Sequence, residues 1–488
     1  MENVLFFPAT LAPRHFATTL ELIIKEIEAG NNVYFLYCKN DFKFCHIHLN
    51  KANNKSNKKK CKNCLKIRKK GLKLINSKKI KFIYLKDYLK QRTEYPLPSF
   101  VNDTKSFRKY KYGSFDVGYG VVASLAKEID NSSFEEWRDV VSLFSSEAIH
   151  FHNCIKSIIS DYNITLGYIF NPRYCLPKAF FRAFLDKKID VYSYHWGSAI
   201  DKYEIFKNAY VDDINDYTQR VNAAWEKEPD VSLKKNIADG FFKSRFNGKI
   251  TNDISYTKDQ NSNLLPDELS LYKKIVVIFN STECDFDNVG DQYTYKFYES
   301  QTDGICRIVK SLEKYPDIGI FLREHPNLKD FRNNQKAAVR KIHSNNFHLI
   351  PAESTVSSYS LLLKANAVIT FNSGMGIEAT YWGIPSILCS NAMYEKFNIA
   401  YQPSSHEEVI NMILSDLKPI ISDDVYKYGY YSSIYGIKYK YYEPIEFFTG
   451  RFMGVDLHYN FFRDKLKPFL KNKFPSLYGY LKKIFRRG

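Results

Sequence analysis

The sequence predicts an α/β protein of two Rossmann-like, doubly wound domains that face a central cleft. Three observations carry this expectation. Short apolar runs alternate with helical spacing from residue 4 onward, and the same alternation starts afresh at residue 274. Between the two blocks, residues 237–270 lose periodicity and are rich in Asn, Asp, Ser and Lys. A β-α-β alternation implies parallel strands with right-handed crossovers. An aperiodic polar stretch between two such blocks reads as a linker. With 488 residues the chain is too long for one core. The expected organisation is a first domain at 1–245 with an insertion at 38–81, a linker at 246–270, a second domain at 271–430, and basic, aromatic helices at 431–488.

The elements follow in order. Residues 4–7 form an apolar strand, 16–29 carry Leu20, Ile23, Ile24 and Ile27 at helical spacing and stop at Gly30, and 33–36 form a second strand. Residues 38–81 interrupt the pattern with four cysteines and a dense lysine run, and the alternation resumes at 81–84. A long helical stretch at 134–159 leads to a strand at 165–170, a helix at 176–185 and a strand at 191–194. The second block has strands at 274–279, 319–322, 347–350, 367–370 and 386–388. Beyond about residue 410 the pattern weakens into helices rich in Tyr and Lys.

Composition narrows the classes. The chain is 44% hydrophobic and 16% aromatic, which excludes disorder. The net charge of +18 points to an anionic partner such as a phosphorylated substrate, acidic lipid or nucleic acid. The excess of Lys and Asn runs along the whole chain, so part of that charge reflects overall composition. Residues 1–12 lack a basic leader, and no run of about 18 apolar residues exists. A cytoplasmic protein is expected, its C-terminal tail either held at the inner face of the membrane or packed back on the first domain. Residues 457–488 mix Phe461, Phe462, Leu470, Phe474 and Phe485 with many Lys and Arg, a pattern suited to an anionic bilayer surface.

The segment 367–385, AVITFNSGMGIEATYWGIP, carries the most chemistry. A buried strand ends at Asn372-Ser373-Gly374, and a helix starts near Met375. Backbone amides at that start, with the Ser373 hydroxyl, suit a phosphate. Glu378, one turn inside, is placed to reach ribose hydroxyls beside it. Ser357, Ser358 and Tyr359 precede another helix and lie where they could hold a base. The competing reading of each is an ordinary helix cap.

This run resembles the donor-nucleotide motif of bacterial capsule polysaccharide synthesis proteins, GT-B transferases that include the capsule Kdo transferases. Arg323-Glu324-His325-Pro326-Asn327 resembles the family's His-Pro motif, which implies that His325 contacts a donor phosphate. Asn280-Ser281-Thr282 resembles a family turn, which implies phosphate contacts for Ser281 and Thr282. Tyr168 to Arg173 resembles a strand that usually ends Asn-Gly-Arg, and Pro172 departs from it. His195-Trp196-Gly197-Ser198 and Asp116-Val117-Gly118-Tyr119-Gly120 also resemble family segments. The resemblance spans most of residues 1–400. It implies a glycosyltransferase that moves a sugar from a CMP-, UDP- or GDP-linked donor to a lipid-linked saccharide acceptor of a capsule, O-antigen or lipooligosaccharide.

Sugar transfer needs stabilisation of the leaving phosphate and a base opposite it. Ser281, Thr282, His325, Ser373 and the amides meet the first need, so no cofactor is expected for catalysis. The base is expected from the first domain, with Asp116 favoured over His195 and His15. Cys38, Cys45, Cys61 and Cys64 have spacing that would hold one structural zinc, with His46 and His48 as spare ligands. The competing reading is four free thiols in a loop. Two other functions stay open. Teichoic-acid-type polyol phosphate transferases share the fold and a His-Pro element. A zinc- and nucleic-acid-binding protein would use the charge, but the Cys/Lys segment lacks aromatics placed to stack on bases, so no nucleic-acid partner is expected.

Overall fold

The computed structural model describes residues 1–488 apart from 9–11, 46–48, 51–54, 57, 91–92, 126–133, 250–256, 258–259, 331–333 and 458–488. The amphipathic tail expected to meet a membrane begins at the last described residue and otherwise lies outside them, as do His46 and His48.

Continuous apolar runs become strands covered on both faces, as parallel sheets require. The first sheet runs Ile80–Tyr84, Asn32–Tyr37, Asn3–Phe7, Leu166–Phe170, Asp190–Trp196, Lys202–Lys207, Ile437–Lys438 from edge to edge. Its first five strands are parallel and its last two antiparallel. Alternate side chains feed two cores, Leu5 and Phe7 on one face and Val4 and Phe6 on the other. The second sheet runs Phe347–Ile350, Ile318–Arg323, Lys274–Phe279, Ala367–Thr370, Ser386–Leu388 and is parallel throughout. In chain order, both parallel sets read third, second, first, fourth, fifth. Strand order therefore reverses beside the first strand of each set, at Phe7 and Phe170 in one domain and at Phe279 and Thr370 in the other. Such reversal points open a crevice at the carboxyl ends of the strands, where ligands bind.

Two expectations need correction. Residues 38–81 are no insertion that breaks the pattern. They contain the helix Lys58–Leu74, the crossover between the parallel strands Asn32–Tyr37 and Ile80–Tyr84. Its Cys61, Cys64, Ile67 and Leu72 are buried. Lysines on the exposed positions lower the segment's average hydropathy and hide the apolar face. The stretch after 431 is likewise not all helical. The helix Asp424–Ile434 packs on Val231–Phe246 and Ile214–Lys227. The chain then returns to the first domain, adds Ile437–Lys438 to its sheet edge, and forms a small antiparallel sheet of Tyr442–Glu446, Thr449–Phe452 and Val455–Asp456. That sheet rests on the helix Pro13–Glu28, where Glu21 accepts the backbone N–H groups of Lys440 and Tyr441.

Asp116 is set by close backbone packing. The helix Val117–Leu125 begins against Thr104–Arg108, and the Gly118 N–H donates to the Tyr110 carbonyl at 3.0 Å. A Cβ on Gly118 would lie 1.9 Å from the Phe107 carbonyl oxygen, a backbone atom that has no rotamer to escape into. Gly118→Ala is therefore expected to cost about 1–3 kcal/mol, the usual penalty of overpacking. Urea unfolding checks it; a midpoint equal to that of the unaltered chain would contradict this packing.

Candidate functional site

The reversal point of the second sheet is closed by side-chain amides. The Ser281 N–H donates to Gln301 Oε1 at 2.9 Å, and the Ser281 carbonyl accepts from Gln301 Nε2 at 2.8 Å and Gln335 Nε2 at 2.7 Å. The Ser281 hydroxyl donates to Asn372 Oδ1 at 3.0 Å, joining the ends of the first and fourth strands. Thr282 Oγ1 donates to Asn327 Oδ1 at 2.9 Å, the same oxygen that lies 2.6 Å from His325 Nδ1. The His325 N–H donates to Asn280 Oδ1 at 2.7 Å. Tyr394 donates to the Ser373 carbonyl at 2.9 Å, and nothing lies within 4 Å of the position a Cβ would take on Gly374. The structure thus gathers Ser281, Thr282, His325, Asn372, Ser373 and Gly374 into one place.

Three polar atoms there are buried without a hydrogen-bond partner among the described residues: Asn280 Nδ2, Ser390 Oγ and Asn391 Oδ1. Each such atom costs about 1–3 kcal/mol. Native proteins rarely carry them in a group unless something completes them.

Ser358 and Glu378 sit differently. The Ser358 N–H donates to Gln260 Oε1 at 2.7 Å, and Ser357 caps the helix Ser358–Leu362. Glu378, expected beside a ribose, is buried, with Oε1 held by Arg245 Nε and Oε2 by the Tyr359 hydroxyl, each at 2.5 Å. Burial and the Glu378 charge hold the Tyr359 phenol well above its usual range. The carboxylate is already bound on both oxygens.

In the first domain, Asp116 is held by two cations. Lys178 Nζ lies 3.1 Å from one carboxylate oxygen and Arg182 Nε 2.7 Å from the other. Burial opposes ionisation, but the two cations win and hold the carboxyl well below its usual range. Both oxygens of Asp116, the base favoured by the sequence, are thus taken by cations.

His15 and His195 meet at the carboxyl edge of the first sheet, with ring centroids 5.9 Å apart. Phe170 stacks against both, and Trp196 lies over His15. Burial, with Arg14 and Arg173 nearby, pushes the His195 ring down to about 3. Burial chiefly lowers His15 as well, with His195 and Arg14 adding to it. Both imidazoles are neutral at pH 7.

The two domains touch through the segment after Thr282. Arg108 Nε donates to Asn288 Oδ1 at 2.8 Å, the Tyr119 hydroxyl to Asp291 Oδ1 at 2.8 Å, and Lys178 Nζ to the Val289 carbonyl at 3.4 Å. Glu283 Oε1 accepts from the Thr302 N–H and hydroxyl, both at 2.8 Å. Burial pushes the neighbouring Asp287 carboxyl up to about 7; Glu283 adds to the rise and Arg108 opposes it.

Cys38, Cys61 and Cys64 lie near one another beside Arg68, which donates to the Pro8 carbonyl at 2.8 Å. Burial raises the Cys38 and Cys64 thiols, and Arg68 opposes the rise. Among the described residues, no three His, Cys, Asp or Glu side chains are grouped to hold a metal ion. Among them too, no helix is long and apolar enough to cross a membrane.

Residues 236–428 match the model of the capsule polysaccharide biosynthesis protein family. Over that span, about two fifths of the chain, the sequence is similar to that family. The match covers the helix Val231–Phe246 from residue 236, the whole second sheet and every residue gathered at its reversal point. Among solved structures, the chain is similar to the β-Kdo 2,4-transferase KpsC of Thermosulfurimonas dismutans, with 12% identity over 55% of this chain and 79% of that one and a TM-score of 0.37. It is also similar to the UDP-GlcNAc 2-epimerase of Neisseria meningitidis bound to UDP-GlcNAc, with 12% identity over 88% and 97% and a TM-score of 0.27. No curated protein matches. The fold itself is read from the two sheets.

Sequence reasoning missed Arg14, Lys178, Arg182, Arg245 and Asp287. The first four act through partners far along the chain, and no local pattern marks them. Asp287 had one signal, its spacing from Asp285 just after the Ser281-Thr282 turn. Its raised carboxyl gives a testable sign. The native state holds a proton on Asp287 that the unfolded chain releases near its ordinary value of 3.8. The stability this contributes is fully present below that value and is lost as pH rises through about 7. Asp287→Asn is expected to remove that part of the decline. Urea unfolding between pH 4 and pH 8 checks it, and identical pH profiles for the two proteins would contradict it.

Proposed function

We propose that this protein is a glycosyltransferase of capsule polysaccharide assembly. It takes a nucleotide sugar at the reversal point of its second domain and a lipid-linked saccharide acceptor at the first. The observation that carries the reading is the convergence of Ser281, Thr282, His325, Asn372 and Ser373 around unpartnered buried polar atoms, inside the segment that matches the family. Donors fixed in advance around a phosphate stabilise the charge that builds as the sugar leaves. The transfer step in this reading needs no metal.

On the acceptor side, the neutral His15 and His195 replace Asp116 as the groups to take the acceptor proton. Asp116 instead holds Lys178 and Arg182 at the domain junction. Glu378 and Tyr359 brace the donor helix through Arg245. Attachment to an anionic membrane surface through residues 458–488 belongs to the same proposal.

The test is transfer from CMP-, UDP- and GDP-linked sugars, with CDP-glycerol as the arm for a polyol phosphate transferase, on membranes carrying native acceptor. His325→Ala with Ser373→Ala is expected to lower transfer at least 10²-fold, the scale seen when oxyanion-binding groups are lost, while the fold is kept. Undiminished turnover in the double variant would refute the site. Turnover of CDP-glycerol alone would refute the sugar donor.

A further inference from the structure

Arg14 is the most deeply buried cation at the carboxyl edge of the first sheet, 1% exposed. One guanidinium nitrogen, NH2, is bound, to the Ala199 carbonyl at 2.8 Å and the Lys202 carbonyl at 3.0 Å. Its Nε and Nη1 are buried without a hydrogen-bond partner among the described residues, and the Phe447 ring covers the guanidinium at 5.2 Å. No carboxylate among the described residues pairs with it. The contrast is with Asp116, which neutralises Lys178 and Arg182, and with Glu204, paired in register with His195 but taken by Arg220 at 2.7 Å.

His195 adds a second, independent observation. It is 8% exposed, and its Nδ1 is buried without a partner among the described residues. The charged or titratable groups that act on it are Arg14, Arg173 and His15, and the acids nearest in the sheet are spoken for. Lys202, from the adjoining strand, is turned to Ser198 and the Ile434 carbonyl. A buried cation with no counter-charge is expensive. Here it also suppresses the proton affinity of the imidazole beside it.

We infer that Arg14 and His195 form the seat of an oxyanion carried by the acceptor, a phosphate or carboxylate group next to the hydroxyl that receives the sugar. The inference rests on the proposed transferase reading only for the word acceptor. Nε or Nη1, the donors left over, takes one oxygen of such a group in a charge-assisted hydrogen bond. An anion there offsets Arg14 and restores basicity to His195. An acceptor that carries the charge thereby switches on the group that removes its proton, and a neutral saccharide does not.

The experiment is carbon NMR of the full chain with ring-labelled histidine, titrated in pH at constant ionic strength. The probes are inorganic phosphate, glucuronate as the carboxylate arm, and chloride as the control. The His195 signal is identified by its loss in His195→Gln. With phosphate or glucuronate, the His195 midpoint is expected to rise by about one pH unit or more relative to chloride. Whichever of the two does so names the source of the charge. Arg14→Gln is expected to abolish the rise. Arg14→Lys, which keeps the charge but loses the Nε and Nη1 donors, is expected to weaken anion affinity at least tenfold and serves if Arg14→Gln does not fold. A His195 midpoint equal in all three salts, or an equal rise in the Arg14→Lys protein, would overturn the inference. The readout is a ring titration, so its outcome is separate from that of the transfer assay.

Discussion

The segment from Asp287 to Tyr293 is the constraint on which the rest of the arrangement depends. It leaves the Ser281-Thr282 turn of the second domain and is gripped at once by the first. Arg108 holds Asn288, Lys178 holds the Val289 carbonyl, Tyr119 holds Asp291, and the Tyr293 hydroxyl donates to the Asp212 carbonyl at 2.9 Å. Val289 and Tyr293 join Ile214 in a small core of their own. The residues of the Ser281-Thr282 turn are thus tied, within about ten positions, to the helix whose neighbours fix Asp116. Any change in the angle between the domains must work against this one strip of backbone.

That strip also explains the distribution of charge. Cations of the first domain face acids of the second along it, with Lys105 paired to Glu299 and Lys111 to Asp291 at 3.7 Å. These pairs are exposed and screened by salt, so each contributes little alone. Asp287 is the exception. Its burial keeps the neutral acid favoured up to about pH 7, so the junction gains a negative charge only above that.

How much could be read from the sequence depended on where each residue's partners lie. Strands 274–279 and 367–370 are buried on both faces, so they appear as unbroken apolar runs and their limits agree with the structure. Lys202–Lys207 reads KYEIFK and pairs antiparallel, with half-exposed positions, so its run is broken and it was not seen. The small sheet at 442–456 has mostly exposed side chains and turns around Phe447 and Met453, with no period long enough to register. The site divides the same way. Asn280 to Thr282 and Asn372 to Gly374 stand at strand ends, a local signal. The pairing of Asp116 with Lys178 and Arg182 spans 62 and 66 positions, and that of Arg245 with Glu378 spans 133, so only the fold could show which carboxylates were already bound. The partners of Asp116 and of Glu378 were hidden for that reason.

The central claim is that a nucleotide occupies the reversal point of the second sheet. Amide hydrogen exchange tests it most directly, comparing the full chain alone and saturated with the tightest binder among CMP, UDP and GDP. The account predicts slowed exchange at 280–283, 325–328 and 372–376, with no slowing at the matching strand ends of the first domain, 171–175 and 195–199. Protection confined to the first domain, or the absence of binding by all three nucleotides, would contradict it.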